Sequence, residues 1–179
     1  MWLMTMSKRN LLHLLSRAYR WALTYWRIKK DPVAYARSLG VKIGEDVRLG
    51  NLNAGTFGTE PNLVEIGNHV TVASRVQFIT HDGGVWVFRE TDPDINSYGP
   101  IIVGNNVFIG FGVIILPDVR IGNDVVIGAG AVVTKNIPSG SVAVGCPARV
   151  IRTVAEYRQS VNAKIAQGRE ALSTTKRRR

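Results

Sequence analysis

From residue 101 an aliphatic side chain returns at every sixth position without a slip, at Val103, Ile109, Ile115, Ile121, Ile127 and Val133. A second column lies two residues earlier, at Ile101, Val107, Val113, Val119, Val125 and Ala131, and a small residue often follows the first column, as at Gly104, Gly110, Gly122 and Gly128. The same phase holds upstream from Val64, Val70 and Val76, and more weakly from Val41 and Val47, so that eleven hexads can be counted. Six residues turn an α-helix through about 600°, or 240° net, so an every-sixth column would spiral around its surface. Two apolar positions two residues apart instead share one side of a short extended segment. Each hexad therefore predicts one short strand and a bend, with the inward aliphatic residue stacked on its equivalent in the next coil. The recurrent Gly-Asn-Asp, Gly-Asn-Asn and Gly-Asn-His triplets supply the bends.

The repeat breaks twice, over residues 52–63 and, at greater length, over residues 82–100. It divides the chain into an N-terminal helical segment (1–40), a repeat domain (41–151) that carries the loop 82–100, and a C-terminal helix with a basic tail (152–179). In the N-terminal segment Leu11, Leu14, Leu15, Ala18, Ala22 and Trp26 fall on one helical face, opposite Arg9, His13, Arg17, Arg20 and Arg27. This basic amphipathic helix suits either a cover for the open end of the repeat or peripheral contact with an anionic membrane, and the covering role is preferred. No apolar run approaches the ~20 residues that span a bilayer. Val154, Val161 and Ile165 predict a short C-terminal helix.

Charge sharpens this division. The formal net charge of +10 over 179 residues gathers at the two ends: residues 1–30 hold seven Lys and Arg and no acid, and the chain closes on Lys176-Arg177-Arg178-Arg179. The terminal run is read as a solvated tail and no nucleic-acid partner is expected. Cys146 is the only cysteine, which excludes an internal disulfide and fits a cytoplasmic, optionally membrane-associated, location.

These hexads, together with the closing segment Thr134-Lys135-Asn136-Ile137-Pro138 and the later Gly145-Cys146-Pro147-Ala148-Arg149, resemble the hexapeptide-repeat acyltransferases over roughly residues 41–151. The stretch around Thr80-His81-Asp82-Gly83-Gly84 is similar to the branch that acetylates sugar and polysaccharide hydroxyls. The resemblance implies a mainly β fold, a left-handed parallel β-helix with three hexads per coil. It also implies a homotrimer with active sites between neighbouring subunits, and acetyl-CoA as co-substrate.

Functional residues in a repeat protein gather where the pattern is interrupted. His81 opens the larger interruption. A hydroxyl is a poor nucleophile at neutral pH, and imidazole is the side chain suited to act as its base. Location and resemblance thus both nominate His81 as general base, against the alternative that it is a bend residue equivalent to His69 and Arg75. Asn53 and Glu60, in the first interruption, are expected to contact the acceptor. Asp82 is expected to contact it or to orient the imidazole, and Trp86 to stack on a sugar face. By the resemblance, Gly110 and Ala129 lie along the pantetheine groove, an amide at Gly110 or Phe111 faces the oxyanion, Thr134 and Lys135 approach the adenosine end, and Arg149 meets phosphate. Small-residue packing alone also accounts for Gly110 and Ala129. Cys146 is read as structural.

No metal is expected. Zinc-dependent carbonic anhydrases that share this fold use three histidines, whereas only His69 and His81 lie in the repeat. The reading is an acetyl-CoA-dependent O-acetyltransferase acting on a sugar or lipid-linked saccharide by direct transfer. The alternatives are a sugar N-acyltransferase and a non-catalytic trimeric scaffold.

Overall fold

The computed structural model describes residues 19, 21–53 and 55–177, with side chains described as far as residue 167. The eleven hexads form eleven strands of two or three residues: β1 (Lys42–Ile43), β2 (Arg48–Leu49), β3 (Val64–Ile66), β4 (Val70–Val72), β5 (Gln77–Phe78), β6 (Ile101–Val103), β7 (Val107–Ile109), β8 (Ile114–Ile115), β9 (Arg120–Ile121), β10 (Val125–Ile127) and β11 (Val132–Val133). Two longer strands follow, β12 (Ser141–Val144) and β13 (Arg149–Thr153). The strands fall into three sheets, ordered β1-β3-β6-β9, β13-β12-β10-β7-β4-β2 and β11-β8-β5, and every pairing is parallel except β12 with β13. The described chain is mainly β with helices at its ends.

Register shows how the hexads cooperate. Val103 pairs with Ile121, Ile109 with Ile127 and Ile115 with Val133, each pair 18 residues apart, or three hexads. The chain thus visits the three sheets in rotation. Ile66 pairs with Val103, Val72 with Ile109 and Phe78 with Ile115, all 37 residues apart, and the excess of 19 is the length of the loop 82–100. From β3 onward the inward column is buried, with Ile66, Ile109, Ile115, Ile121 and Ile127 at most 2% exposed, whereas Ile43 and Leu49 on the first level are half-buried. Side chains that repeat at equivalent register stack into a continuous core, each contributing about 1.5–3 kcal/mol when fully buried.

The bends explain the polar triplets. Asp46, His69, Asn106 and Asp124 occupy successive levels of one corner with φ between 52° and 55°, the left-handed region that Asn, Asp and His tolerate best among non-glycine residues. Beside them runs a ladder in which the Asn68, Asn105 and Asn123 side-chain oxygens and the Ser139 hydroxyl accept backbone N–H groups of Glu45, Asn68, Asn105 and Asn123 at 2.7–2.9 Å. A Cβ at Gly104 would come within 2.6 Å of the Asn123 oxygen and 2.8 Å of the Gly122 backbone, so the small position after the inward column is set by the ladder.

The ends differ from expectation. Residues 21–30 are helical (α1), but Ala22 and Trp26 are exposed, and the half-buried positions are Thr24 and Ile28. Residues 1–18 and Arg20, with the expected apolar positions Leu11, Leu14, Leu15 and Ala18, lie outside the described residues. Next along the chain α2 (Pro32–Ser38), which Asp31 caps by accepting the Ala34 N–H at 2.8 Å, packs against β1 and β2 and buries Tyr35 and Ala36. At the other end β13 turns back antiparallel onto β12, and α3 (Val154–Arg177) is 24 residues long, not short. A capping box starts it: Thr153 N–H and Oγ donate to Glu156 Oε2 at 2.7 and 2.9 Å, and Glu156 N–H returns a bond to Thr153 Oγ at 3.2 Å.

Candidate active site

His81 occupies the hexad position of His69 and Arg75, whose φ values are 54° and 62°, yet it does not share their left-handed backbone. It forms an antiparallel bridge with Tyr98, across the base of the loop. The bend-residue alternative therefore does not describe it. The loop residues 83–88 wind into a 3-10 turn, and the cleft between loop and body, about 300 Å³, is lined by Glu60, His81, Trp86, Arg89 and Tyr98 among others.

A carboxylate stands behind the imidazole. Glu60 Oε2 lies 3.3 Å from His81 Nδ1 and accepts the Thr80 hydroxyl at 2.7 Å, while Glu60 Oε1 accepts the Thr59 hydroxyl at 2.6 Å. Thr59 Oγ is also 3.2 Å from Nδ1. With its own proton committed to Glu60, this oxygen is an acceptor, so both neighbours call for the proton on Nδ1 and leave the Nε2 lone pair to the cleft. The Thr59 hydroxyl, followed by Thr80 and His81, holds the Glu60 carboxyl below its usual range against the opposing effect of burial. His81 is 41% exposed and Glu60 26%, so the pair is open to an acceptor without being fully solvated.

The other expected residues divide. Trp86 lines the cleft and is 70% exposed, its ring offered to solvent. Asp82 lines the cleft too, but its carboxylate accepts the Gly84 N–H at 2.8 Å and caps the 3-10 turn; Glu60, not Asp82, orients the imidazole. Asn53 does not reach the cleft: its side-chain oxygen closes a turn by accepting the Gly55 N–H at 2.9 Å. Thr59, Thr80, Arg89 and Tyr98 belong to the site and were not anticipated. The structure's register brings in the first two. Phe57, the buried aromatic of the first interruption, stacks on Phe78 with ring centroids 5.3 Å apart, and the same 21-residue offset sets Glu60 against His81.

The residues expected to meet CoA lie elsewhere on the chain. Gly110, Phe111 and Ala129 sit at the corner where the chain enters β8 and β11, whereas His81 follows the far end of β5 in the same sheet. One hexad separates those edges, so that Phe111 and His81 lie at opposite ends of the β5–β8–β11 sheet. A Cβ at Gly110 would meet the Ala129 nitrogen at 2.6 Å, and the Gly110 N–H donates to the Ile127 carbonyl at 2.8 Å, so packing accounts for Gly110 and its amide is already used. Phe111 is exposed beneath the Arg75 guanidinium, 5.4 Å from its ring centroid. Thr134, Lys135 and Arg149 are exposed, Arg149 donating to the Ala148 carbonyl at 2.9 Å, and Cys146 lies exposed in the turn before β13. Among the described residues no cluster of three metal-ligating side chains occurs.

Residues 100–135 match the family described as bacterial transferase hexapeptide (six repeats). The chain is 51% identical over 125 residues to protein CapG of Staphylococcus aureus, covering 70% of this chain and 73% of that one. It is 37% identical over 125 residues to galactoside O-acetyltransferase of Escherichia coli, covering 70% of this chain and 60% of the relative's own length. A hexapeptide-repeat-containing acetyltransferase from Vibrio cholerae shares the fold, with a TM-score of 0.55 at 22% identity over 80% of this chain and 92% of that one. The hexads, their register and the CapG match together place this chain in the hexapeptide-repeat acyltransferase family.

Proposed function

We propose that the protein is an acetyl-CoA-dependent O-acetyltransferase whose acceptor is a sugar hydroxyl bound in the loop cleft. The observation that carries this is the Glu60–His81 pair at the base of a cleft walled by Trp86 and Tyr98. Glu60 keeps the proton on Nδ1, and Nε2 takes the acceptor's hydroxyl proton as its oxygen attacks the thioester carbonyl. The C–S bond then breaks and the leaving thiolate recovers a proton from the imidazolium. Glu60 stabilises that imidazolium more than the neutral ring, which is the differential interaction that lowers a barrier. The exposed ring of Trp86 suits the apolar face of a sugar.

The rotation of the chain through three sheets, with the hexad strands all paired in parallel, supports a β-helix, and the resemblance to the family supports its left hand. The separation of His81 from the Phe111–Ala129 corner within one chain supports a homotrimer in which one copy supplies the base and its neighbour the CoA groove. There the Phe111 amide is the donor for the oxyanion, since that of Gly110 is committed to Ile127. Lys135 and Arg149 are exposed cations suited to phosphate. Trp21, Leu23, Tyr25 and Trp26 are exposed on α1 among Arg27, Lys29 and Lys30, which supports peripheral contact with anionic lipid, as for a lipid-linked acceptor. No described helix is long and apolar enough to cross a membrane.

The decisive experiment follows free-thiol release from acetyl-CoA with a panel of free, nucleotide-linked and lipid-linked sugars. His81→Ala is expected to lose transfer by more than roughly a thousandfold while acetyl-CoA still raises its Tm. Activity retained in His81→Ala refutes the assignment.

A further inference from the structure

Arg89 is the only Lys or Arg between Arg75 and Arg120, and it lines the same cleft as His81. Its guanidinium lies over the Trp86 ring, 5.4 Å from the centroid, and donates to the neutral Asn96 side-chain oxygen at 3.2 Å. Asn96 is itself held by its bond to the Asp94 carbonyl at 2.8 Å. No carboxylate of the described residues forms an ion pair with Arg89. The two acids that line the cleft are engaged elsewhere, Glu60 with Thr59, Thr80 and His81, and Asp82 with the Gly84 N–H. Glu90, Asp92 and Asp94 belong to the loop but do not line the cleft.

A guanidinium carries five N–H donors in a planar fork that matches a carboxylate or phosphate, and stacking on an indole fixes the plane of that fork. A fixed fork with one neutral partner, beside an open aromatic ring and a general base, is arranged for an oxyanion that arrives with the acceptor. We propose that Arg89 selects an anionic acceptor: the cleft takes a sugar bearing a carboxylate or phosphate, with the oxyanion on Arg89, the ring against Trp86 and the reacting hydroxyl at His81 Nε2. This rests on the reading of the cleft as the acceptor site.

The test compares methyl glucoside, methyl glucuronide and glucose 1-phosphate with the intact protein, by calorimetric binding and by thiol release from acetyl-CoA. The glucuronide or the phosphate is expected to bind roughly ten- to a hundredfold more tightly than the neutral glycoside, and whichever arm shows the gain identifies the charged group. Arg89→Gln should shrink that ratio to within about twofold, and Arg89→Lys should keep part of it, because charge remains while the fork is lost. Equal binding of charged and neutral sugars by the wild type overturns the inference. So does a preference that survives in Arg89→Gln. Should thiol release fail with every acceptor, the transfer reading falls while the binding ratio still decides the role of Arg89.

Discussion

Glu60→Gln tests the proposed chemistry at its most informative point, since it keeps the side chain's shape and removes its charge. At 3.3 Å from Nδ1, a unit charge pair is worth about 5 kcal/mol at an effective dielectric of 20 and about 1.3 kcal/mol in bulk water. Both side chains are partly exposed, 41% for His81 and 26% for Glu60, so solvent screening moves the figure toward the lower bound. About 2 kcal/mol of imidazolium stabilisation is a fair working value, and its loss lowers kcat/KM roughly 30-fold. The assay is initial-rate thiol release at saturating acetyl-CoA, with the Tm of each variant recorded to separate folding from chemistry. Because Glu60 acts only through His81, the double variant Glu60→Gln/His81→Ala should be no slower than His81→Ala alone. A Glu60→Gln enzyme within twofold of wild type, or a further loss in the double variant, refutes the positioning role.

Three predictions concern the scaffold. Gly104→Ala forces a Cβ to 2.6 Å from the Asn123 oxygen and 2.8 Å from the Gly122 backbone. It should cost about 2 kcal/mol, or ~6 °C in Tm, whereas Gly83→Ala, with nothing within 4 Å of the added Cβ, should leave Tm within ~2 °C. Asn105→Ala removes the acceptor of the Asn68 N–H at 2.8 Å and should cost about 1 kcal/mol in urea unfolding, with Asn105→Asp recovering most of it. Thr153→Ala removes the two hydroxyl bonds of the capping box of α3, leaving the residue 153 N–H on Glu156, and should cost about 1 kcal/mol of stability. The Thr153 backbone and hydroxyl hold the Glu156 carboxyl below its usual value of 4.5, so the folded state binds that proton less readily than the unfolded chain. The contribution is therefore present above about pH 4.5 and fades as pH falls through the lowered value. The Tm gap between wild type and Thr153→Ala should accordingly narrow between pH 7 and pH 3, and a constant gap would count against the box.

What the chain reveals as text depends on whether an interaction repeats. The every-sixth column is legible because each inward position meets its equivalent one circuit on, so Val103, Ile121 and their neighbours are drawn from one small set of residue types. The bends are legible for the same reason, since apart from Arg75 the left-handed corners carry Asp, Asn, His or Gly. Interactions made once leave no such trace. Asp82 adjoins His81 in sequence and seemed the natural partner of its imidazole, but the turn that follows claims its carboxylate through the Gly84 N–H. The true partner, Glu60, is 21 residues away, inside a stretch where the repeat fails. The short helix at the β1–β2 end is hard to read for a related reason. α2 has only seven residues, too few for a hydrophobic face to stand out, yet it buries Tyr35 and Ala36.

Even so, the first interruption is not featureless. It replaces the strand that would have continued the sheet of β5, β8 and β11, and Thr56 and Phe57 keep part of that role: the Thr56 carbonyl accepts the Phe78 N–H at 2.8 Å and the Phe57 ring stacks on Phe78. An aromatic residue on an aromatic residue continues the inward column of that sheet, and it fixes the local offset at 21 residues instead of 18. Carried three residues further, the same offset places Glu60 against His81, and it brings Gly58 so close to Thr80 that a Cβ there would lie 2.5 Å from its hydroxyl. The proposed Glu60–His81 pair is thus a consequence of the scaffold's register, held by a phenylalanine contact in the core. Phe57→Ala should therefore weaken transfer by displacing Glu60, beyond any loss of Tm, and Phe57→Leu, which keeps the column filled, should largely restore it.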